Sequence, residues 1–498
     1  MVGKSGILKL KQSAIKGTLF LGSGRMIDRV LQFLRNIIVA RLVSPEDFGI
    51  AALFVMTVSF LEMFSNLAVD TLLVQSPHGE TPRFQQTSQL MMAVRGLGIA
   101  LILFLFAGPV AGLFDIPAAT WAFRLLALVP LIRGLAHQDM SRLQRQLDFK
   151  PVLLTDISAQ LTSTLLAWPL ASWLGDYSAI LYLVLIQTLA RTLISHFMAE
   201  RSYSWGWEPI HAREILSFGW PLLINGILLF LIMQGDRFVI GAADQLFARE
   251  TYSKAQLGFY SAAFVLSSAI TDGITSIMTP VMLPLLSRAQ DLEVQFQKRS
   301  HICIQTAVFV LNPMGIFFIL IGGWFLVLVY GDQYLAAAPL MAWLGATSSI
   351  HMLRVASTTI ALSKGDSPNP TICNVFRALS FVLAFISAAL GADLVWIAAS
   401  GLAGELLAIG VSIALLKSRL AIPFHYFSKP LLISFTGPLL AALCWNAGLS
   451  DAGPLFAFLA AACLSIGMWA VCLCLFPDFR KEIQLTISPM LLGYTRQV

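Results

Sequence analysis

Apolar segments long enough to cross a lipid bilayer recur along the whole chain, and no other feature restricts its fold so sharply. A spanning helix needs about 20 mostly apolar residues. Fourteen segments meet that measure: 17–43, 48–70, 86–113, 117–139, 152–174, 178–200, 213–241, 256–287, 302–329, 335–362, 371–390, 393–416, 429–447 and 453–476. The 256–287 segment is open to a break at Pro280 or Pro284. Inside lipid the backbone must satisfy its own hydrogen bonds, which favours helices. With 57% hydrophobic and 12% charged residues, the chain has too few charges to cover a soluble core of this size. The expected class is therefore an all-α integral membrane protein with about fourteen transmembrane helices. The first segment is long and studded with arginine, so it reads as a span and not as a cleavable leader.

Charge then chooses an orientation. Alternate loops and both terminal segments collect twenty lysines and arginines, from Lys4, Lys9, Lys11 and Lys16 through Arg83, Arg142, Arg145 and Lys150 to Arg496. The opposite loops carry Asp47, Asp115, Asp176, Asp332, Asp393 and Asp451, with Arg249 and Lys254 as their basic residues. Lysine and arginine accumulate on the cytoplasmic side, so both termini are expected there. The formal net charge of +6 follows this asymmetry and is not a nucleic-acid signal.

The two halves of the chain echo each other. Glu-Asp-Phe-Gly-Ile-Ala-Ala at 46–52 aligns with Gln-Leu-Gly-Phe-Tyr-Ser-Ala-Ala at 256–263, pairing Gly49 with Gly258 at an offset of 209. The same offset carries the stripe Ser59, Glu62, Asn66 and Asp70 onto Ser268, Thr271, Thr275 and Thr279. Two six-helix lobes are expected, 17–200 and 213–416. A short segment at 1–16 precedes them, two extra helices fill 429–476, and a tail occupies 477–498. Internal repeats around a shared site are a common transporter plan.

Ionisable groups inside spans are costly and mark functional sites or internal pairs. The first segment places Thr18, Gly22, Arg25, Asp28, Arg29, Gln32, Arg35 and Asn36 on one broad face. A salt-bridge ladder around Asp28 and a hydrated basic cavity both fit that face; the three arginines favour the cavity. Arg95, Arg124, Arg133, Arg191, Arg354 and Arg377 add to the basic count, with Arg124, Arg133 and Arg377 placed near helix ends where they reach headgroups. Guanidinium groups grip phosphate in a planar fork. Arg25, Arg29, Arg35, Asn66, Arg191, Asn225 and Arg354 are accordingly the candidate substrate-binding residues. Asp28, Asp236 and Asp272 are the candidate coupling carboxylates, although Asp236 beside Arg237 also reads as a simple ion pair. Glu62, Asp70, Glu405 and His351 complete the buried titratable set. Pro221 implies a bend in the seventh segment.

Enzyme chemistry has no foothold in this reading. No complete Gly-x-x-x-x-Gly-Lys-Ser/Thr phosphate loop occurs, and the longest loop on the acidic side, 242–255, spans about fifteen residues. Six cysteines, at 303, 373, 444, 463, 472 and 474, lie in apolar stretches without metal-ligand spacing. No cofactor, metal or nucleic-acid partner is expected.

Several motifs bring a family into view. Leu-Ser-Phe-Gly-Trp-Pro at 216–221, Asp-Arg-Phe-Val-Ile-Gly at 236–241 and Leu-Gly-Phe-Tyr-Ser-Ala-Ala at 257–263 resemble the bacterial polysaccharide-export flippases of the Wzx type. Ala-Arg-Leu-Val-Ser-Pro-Glu-Asp-Phe-Gly at 40–49 and Pro-Leu-Leu-Ser-Arg at 284–288 resemble them too. That group sits within a superfamily that includes multidrug extruders and lipid II flippases. The resemblance implies a V-shaped, pseudo-twofold pair of lobes working by alternating access. It also implies an oligosaccharide repeat unit on undecaprenyl pyrophosphate as substrate, with membrane lipids, a polysaccharide polymerase and export machinery as partners. A cation-coupled drug antiporter on the same fold, and a non-transporting partner of a polymerase, remain the alternatives.

Overall fold

A computed structural model describes residues 4–248, 251–448 and 453–482, with side chains from Gly22 onward. Arg249, Asp451 and Arg496, counted above for orientation, lie outside the described residues, as do the side chains of Lys4, Lys9, Lys11, Lys16 and Thr18. Contacts divide the chain into two compact units, Met1–Ser261 and Ala262–Val498.

The first unit runs through α1 (Lys4–Leu42), α2 (Pro45–Met63), α3 (Val69–Gln75), α4 (Pro82–Leu113), α5 (Thr120–Leu126) and α6 (Leu128–Gly134). It continues with α7 (Asp139–Arg145), α8 (Lys150–Leu174), α9 (Ser178–Met198), α10 (Pro209–Phe247) and the opening turns of α11 (Lys254–Ser287). The second unit takes the rest of α11, then α12 (Glu293–Leu320), α13 (Gly322–Tyr330), α14 (Ala338–Ser363) and α15 (Pro368–Arg377). It ends with α16 (Leu379–Ala389), α17 (Leu394–Leu420), α18 (His425–Asn446) and α19 (Pro454–Leu475). In the first unit α8 packs between α1 and α9; in the second, α12 packs against α14, α18 and α19.

Helix starts follow from local chemistry. Ser44 caps α2, its Oγ accepting the Asp47 N–H at 3.1 Å, with Pro45 in the first turn and Glu46 and Asp47 facing the positive helix end. Thr81 and Pro82 repeat the device at α4.

Several expected single spans are interrupted. The 48–70 segment ends as α2 at Met63, and a turn precedes α3. Asn66 Oδ1 accepts the Ala68 N–H at 2.9 Å, and Ala68 adopts the left-handed conformation at φ 48°. The expected stripe is thus split, with Ser59 and Glu62 on α2, Asn66 in the turn and Asp70 on α3. The 117–139 segment divides into α5, α6 and the start of α7; Pro130 has no N–H for the Leu126 carbonyl, which fits the break between α5 and α6. By contrast α11 runs unbroken past Pro280 and Pro284, and α10 past Pro221. The loop expected at 242–255 shrinks, since α10 reaches Phe247 and α11 starts at Lys254. Among the described residues nine helices are long and apolar enough to cross a membrane, or ten if the bent run from Pro117 to Arg145 counts as one. Helices α1, α2, α8 and α14 are outside that set, because polar and charged residues interrupt their apolar runs.

The glycines paired by the internal repeat meet in space. A Cβ on Gly49 would lie 2.0 Å from the Lys254 carbonyl oxygen, and one on Gly258 only 1.8 Å from that of Pro45. Backbone therefore touches backbone where the start of α2 crosses the start of α11, and only glycine fits. Gly49→Ala and Gly258→Ala are each expected to lower stability by about 1–3 kcal/mol through overpacking, read as a drop in melting temperature of the purified protein. Gly98→Ala, with no atom within 4 Å of the added group, is expected to melt like the parent.

Candidate functional site

In the first unit, polar side chains surround a cavity of about 370 Å³. Its lining includes Glu62, Asn66 and Asp70 from the α2–α3 region, Arg95 from α4, Arg133 from α6, Asp156 from α8 and Arg191 from α9. Each charge is held by a neighbour. Arg133 Nη1 donates to Glu62 Oε2. Arg95 donates from Nε to Ser65 Oγ at 3.1 Å and from Nη2 to the Glu62 carbonyl at 3.1 Å, a carbonyl that also accepts the Ser65 N–H at the end of α2. Arg191 Nη2 lies 2.9 Å from Asp156 Oδ1, and Asp70 Oδ1 accepts Ser141 Oγ at 3.3 Å. Three arginines face three carboxylates, so the lining is balanced where an excess of positive charge was expected.

The charged face of α1 joins this cavity through one pair of residues. Asp28 lies in the field of Asp156, Arg191, Arg35 and Arg29. Arg35 turns away into a hydrogen-bonded ladder between α1, α8 and α9: its Nη1 donates to Gln187 Oε1 at 2.5 Å and to Ser163 Oγ at 3.2 Å. Gln187 in turn donates to Gln160 at 2.7 Å. Arg25 and Arg29 stand on the exposed face.

Other candidates lie elsewhere. Asp236, in the first unit, accepts Tyr260 Oη at 2.6 Å and the Arg237 N–H at 2.8 Å, with Arg237 Nε at 3.8 Å. This is the geometry of a local pair. Asn225 is half-buried on α10, beside Gly226, where a Cβ would sit 2.2 Å from the Met63 carbonyl oxygen. In the second unit Asp272 lies on an exposed face of α11. Arg354 is buried there and donates from Nε to Glu405 Oε2 at 2.7 Å. Arg377 Nε approaches Glu405 Oε1 at 2.6 Å, and His351 Nδ1 lies 3.0 Å from the same oxygen. Arg354 is thus engaged in a closed network around Glu405. Arg133 and Arg377, expected to reach headgroups, are instead paired inside the fold; Arg124 lies over the Phe104 ring at 5.9 Å.

Two features escaped the reading of the chain. Asp156 complements Arg191 from the neighbouring helix, and a lone opposite charge in each of two adjacent spans was the available signal. The second lies on α7, beyond the apolar run. Asp139 accepts Arg142 Nε at 2.5 Å and Nη2 at 3.0 Å, and the N–H groups of Glu200 and Arg201 at 2.9 and 3.2 Å. These four donors converge on this one buried carboxylate.

Comparison with known proteins places these features in a lineage. The sequence profile of a family described as polysaccharide biosynthesis protein matches residues 38–339. An uncharacterized membrane protein in the cps region of Klebsiella pneumoniae is 22% identical over 75% of this chain and 76% of its own length. The succinoglycan biosynthesis transport protein ExoT of Rhizobium meliloti (strain 1021) is 26% identical over 67% of this chain and 66% of its own. The lipopolysaccharide biosynthesis protein WzxC of Escherichia coli (strain K12) is 20% identical over 76% of each. Among solved structures, the lipid II flippase MurJ in an inward closed conformation superposes with a TM-score of 0.69, covering 93% of this chain and all of its own at 15% identity. The fold is that of this transporter group.

Asp139→Asn is expected to cost about 1–3 kcal/mol at neutral pH, because Arg142 loses its buried partner and keeps only the exposed Glu200, at 2.8 Å. Thermal melting of the purified protein checks it. Glu405→Ala is expected to cost about 3–5 kcal/mol by leaving Arg354 buried without its carboxylate, with only His351 beside it at 2.8 Å.

Proposed function

Starting from the fact that the chain belongs to the polysaccharide biosynthesis protein family, we propose that it is a flippase for lipid-linked oligosaccharides. It moves repeat units carried on undecaprenyl pyrophosphate from the cytoplasmic to the periplasmic leaflet by alternating access. The observation that carries this reading is the charged cavity of the first unit, built from arginines on α4, α6 and α9 inside an otherwise apolar bundle. A pyrophosphate loses hydration on entering such a space, and guanidinium forks offset that loss with paired, charge-assisted hydrogen bonds. Relatives named for succinoglycan transport and lipopolysaccharide biosynthesis support the substrate class. The polyprenyl tail stays in lipid, which asks nothing polar of the protein.

Residue roles follow from charge and exposure. Arg191, Arg133 and Arg95 receive the anionic end, with Arg25 and Arg29 on the exposed face of α1 guiding it and Asn66 at the cavity edge contacting sugar. The paired carboxylates Glu62 and Asp156 are displaced from their arginines when substrate binds, and they re-form the pairs on release. Asp28 couples these states, because it lies in the same field as Arg191 and Asp156; Asp236 and Asp272 are secondary coupling candidates. Arg35 and Arg354 position helices instead of touching substrate. The charge asymmetry of the loops supports an inner-membrane location with both termini cytoplasmic. No reaction chemistry is assigned to the chain; a polysaccharide polymerase acts on what it delivers.

The balanced lining favours one second reading, a cation-coupled antiporter that uses Glu62, Asp70 and Asp156. Complementation separates the two. In a bacterium lacking its own polysaccharide flippase, the wild-type chain should restore surface polymer. Arg191→Ala and Arg133→Ala should reduce export by about 10- to 100-fold, the worth of one charge-assisted hydrogen bond, with lipid-linked repeat units accumulating inside. Arg124→Ala, outside the cavity, should export normally. Drug resistance that depends on the carboxylates, without polymer, would establish the antiporter instead.

A further inference from the structure

A second cluster of chemistry-bearing side chains lies apart from the cavity, where the turn between α3 and α4 meets the first turns of α10. We propose that His78, His211 and Glu214 form a site for a divalent transition-metal ion of the Zn²⁺ class, clipping that turn to α10. Their potential ligand atoms all lie within 4.8 Å of one another. His78 Nδ1 is 3.3 Å from Glu214 Oε2, and His211 Nδ1 is 3.9 Å from the same oxygen. A tetrahedral ion with bonds near 2.0–2.1 Å holds its donors about 3.3 Å apart, so small side-chain rotations close the set. Two imidazoles and one carboxylate suit Zn²⁺ or Co²⁺ over the harder Mg²⁺ or Ca²⁺.

Ordinary hydrogen bonding leaves this cluster incomplete. His211 Nδ1 is buried and has no hydrogen-bond partner among the described residues. Glu214 Oε2 lies between two imidazoles and is too far from the second to bond it. A cation at the centre satisfies all three groups at once. His211 and Glu214 are three apart on one helical face, whereas His78 arrives from 133 residues upstream.

The surroundings are those of a built site. Ser76 Oγ donates to Glu214 Oε1 at 2.6 Å and fixes the carboxylate's plane, while the His78 N–H donates to Ser76 Oγ at 3.1 Å. Such outer contacts orient metal ligands. The turn itself is rigid. Arg145 Nη1 donates to the Val74 carbonyl at 2.9 Å and to that of Ser76, and a Cβ at Gly79 would lie 2.0 Å from the Leu73 carbonyl oxygen. Below it, Val69, Leu72, Leu73, Phe84 and Ile215 form a buried apolar cluster that fixes α3, α4 and α10 together. The His211 ring packs edge-on against Phe84 at 5.0 Å. His78 is 56% exposed, so the ion enters from solvent and keeps a water in its fourth position.

The test uses tag-free, full-length protein in lipid nanodiscs, stripped with chelator and titrated calorimetrically with Zn²⁺. One equivalent should bind, Co²⁺ should give the visible absorption of a four-coordinate site, and Zn²⁺ should raise the melting temperature. His78→Ala and Glu214→Gln should each weaken binding by at least about 10-fold and abolish the thermal shift. His78 is exposed, so its variant keeps the fold and decides the question even if Glu214→Gln melts poorly. Cooperatively melting wild type that binds no Zn²⁺ would overturn the site. So would one-equivalent binding unchanged in His78→Ala, which would move the ion to another pair such as His137 and His196.

Discussion

A charge placed inside an apolar helical bundle must find a partner, and much of this structure is arranged around that cost. The demand is met differently in the two units. In the second, Glu405 gathers Arg354, Arg377 and His351 into one closed knot that joins α14, α15 and α17. In the first, the pairs Glu62–Arg133 and Asp156–Arg191 stand on the wall of a cavity, where the proposed anionic substrate would reach them. The same chemistry fixes helices in one place and offers a replaceable partner in the other. Which outcome prevails depends on burial: Glu405 is 1% exposed, whereas the side chain of Arg191 is 50% exposed.

That difference bears on how a transporter handles its cargo. A pre-paired arginine does not carry a naked charge through the empty cycle, so the cavity remains soluble in its own bundle without substrate. On the proposed reading a pyrophosphate would exchange one carboxylate for two phosphoryl groups, and the forked geometry of guanidinium suits that exchange. Glu62 and Asp156, once released, would then need neutralising, which would give a proton or cation an entry to the proposed cycle.

Much of this was legible in the chain, for identifiable reasons. Gly49 and Gly258 were singled out by their shared motif, and they meet because only glycine permits backbone contact at that crossing. The start of α2 at Pro45, three residues before the expected 48, was not read, although Ser44 and Pro45 set it by capping chemistry that needs no tertiary context. The polar stripe on the second segment was less secure, because periodicity presumes an unbroken helix and Asn66 instead folds its own backbone into a turn. Arg133 and Arg377 were misplaced for a related reason: a position near a helix end suggests headgroups, while pairing with Glu62 and Glu405 depends on neighbours far away in sequence. Arg354 looked like an open guanidinium until the burial of Glu405 beside it was visible. Asp156 drew no notice because a single acid in an apolar span gains meaning only when Arg191 stands opposite.

The central claim is that the cavity of the first unit accepts an anionic lipid headgroup by replacing carboxylates on Arg133 and Arg191. The most direct measurement is equilibrium binding of a short-chain polyprenyl pyrophosphate to the protein in nanodiscs, beside the matching uncharged polyprenol. Saturable binding of the pyrophosphate that is lost in the Arg133→Ala/Arg191→Ala double variant, with weak and unchanged polyprenol binding, is the result the account predicts. Equal affinity for both lipids, or pyrophosphate binding untouched by the double variant in a folded protein, would contradict it.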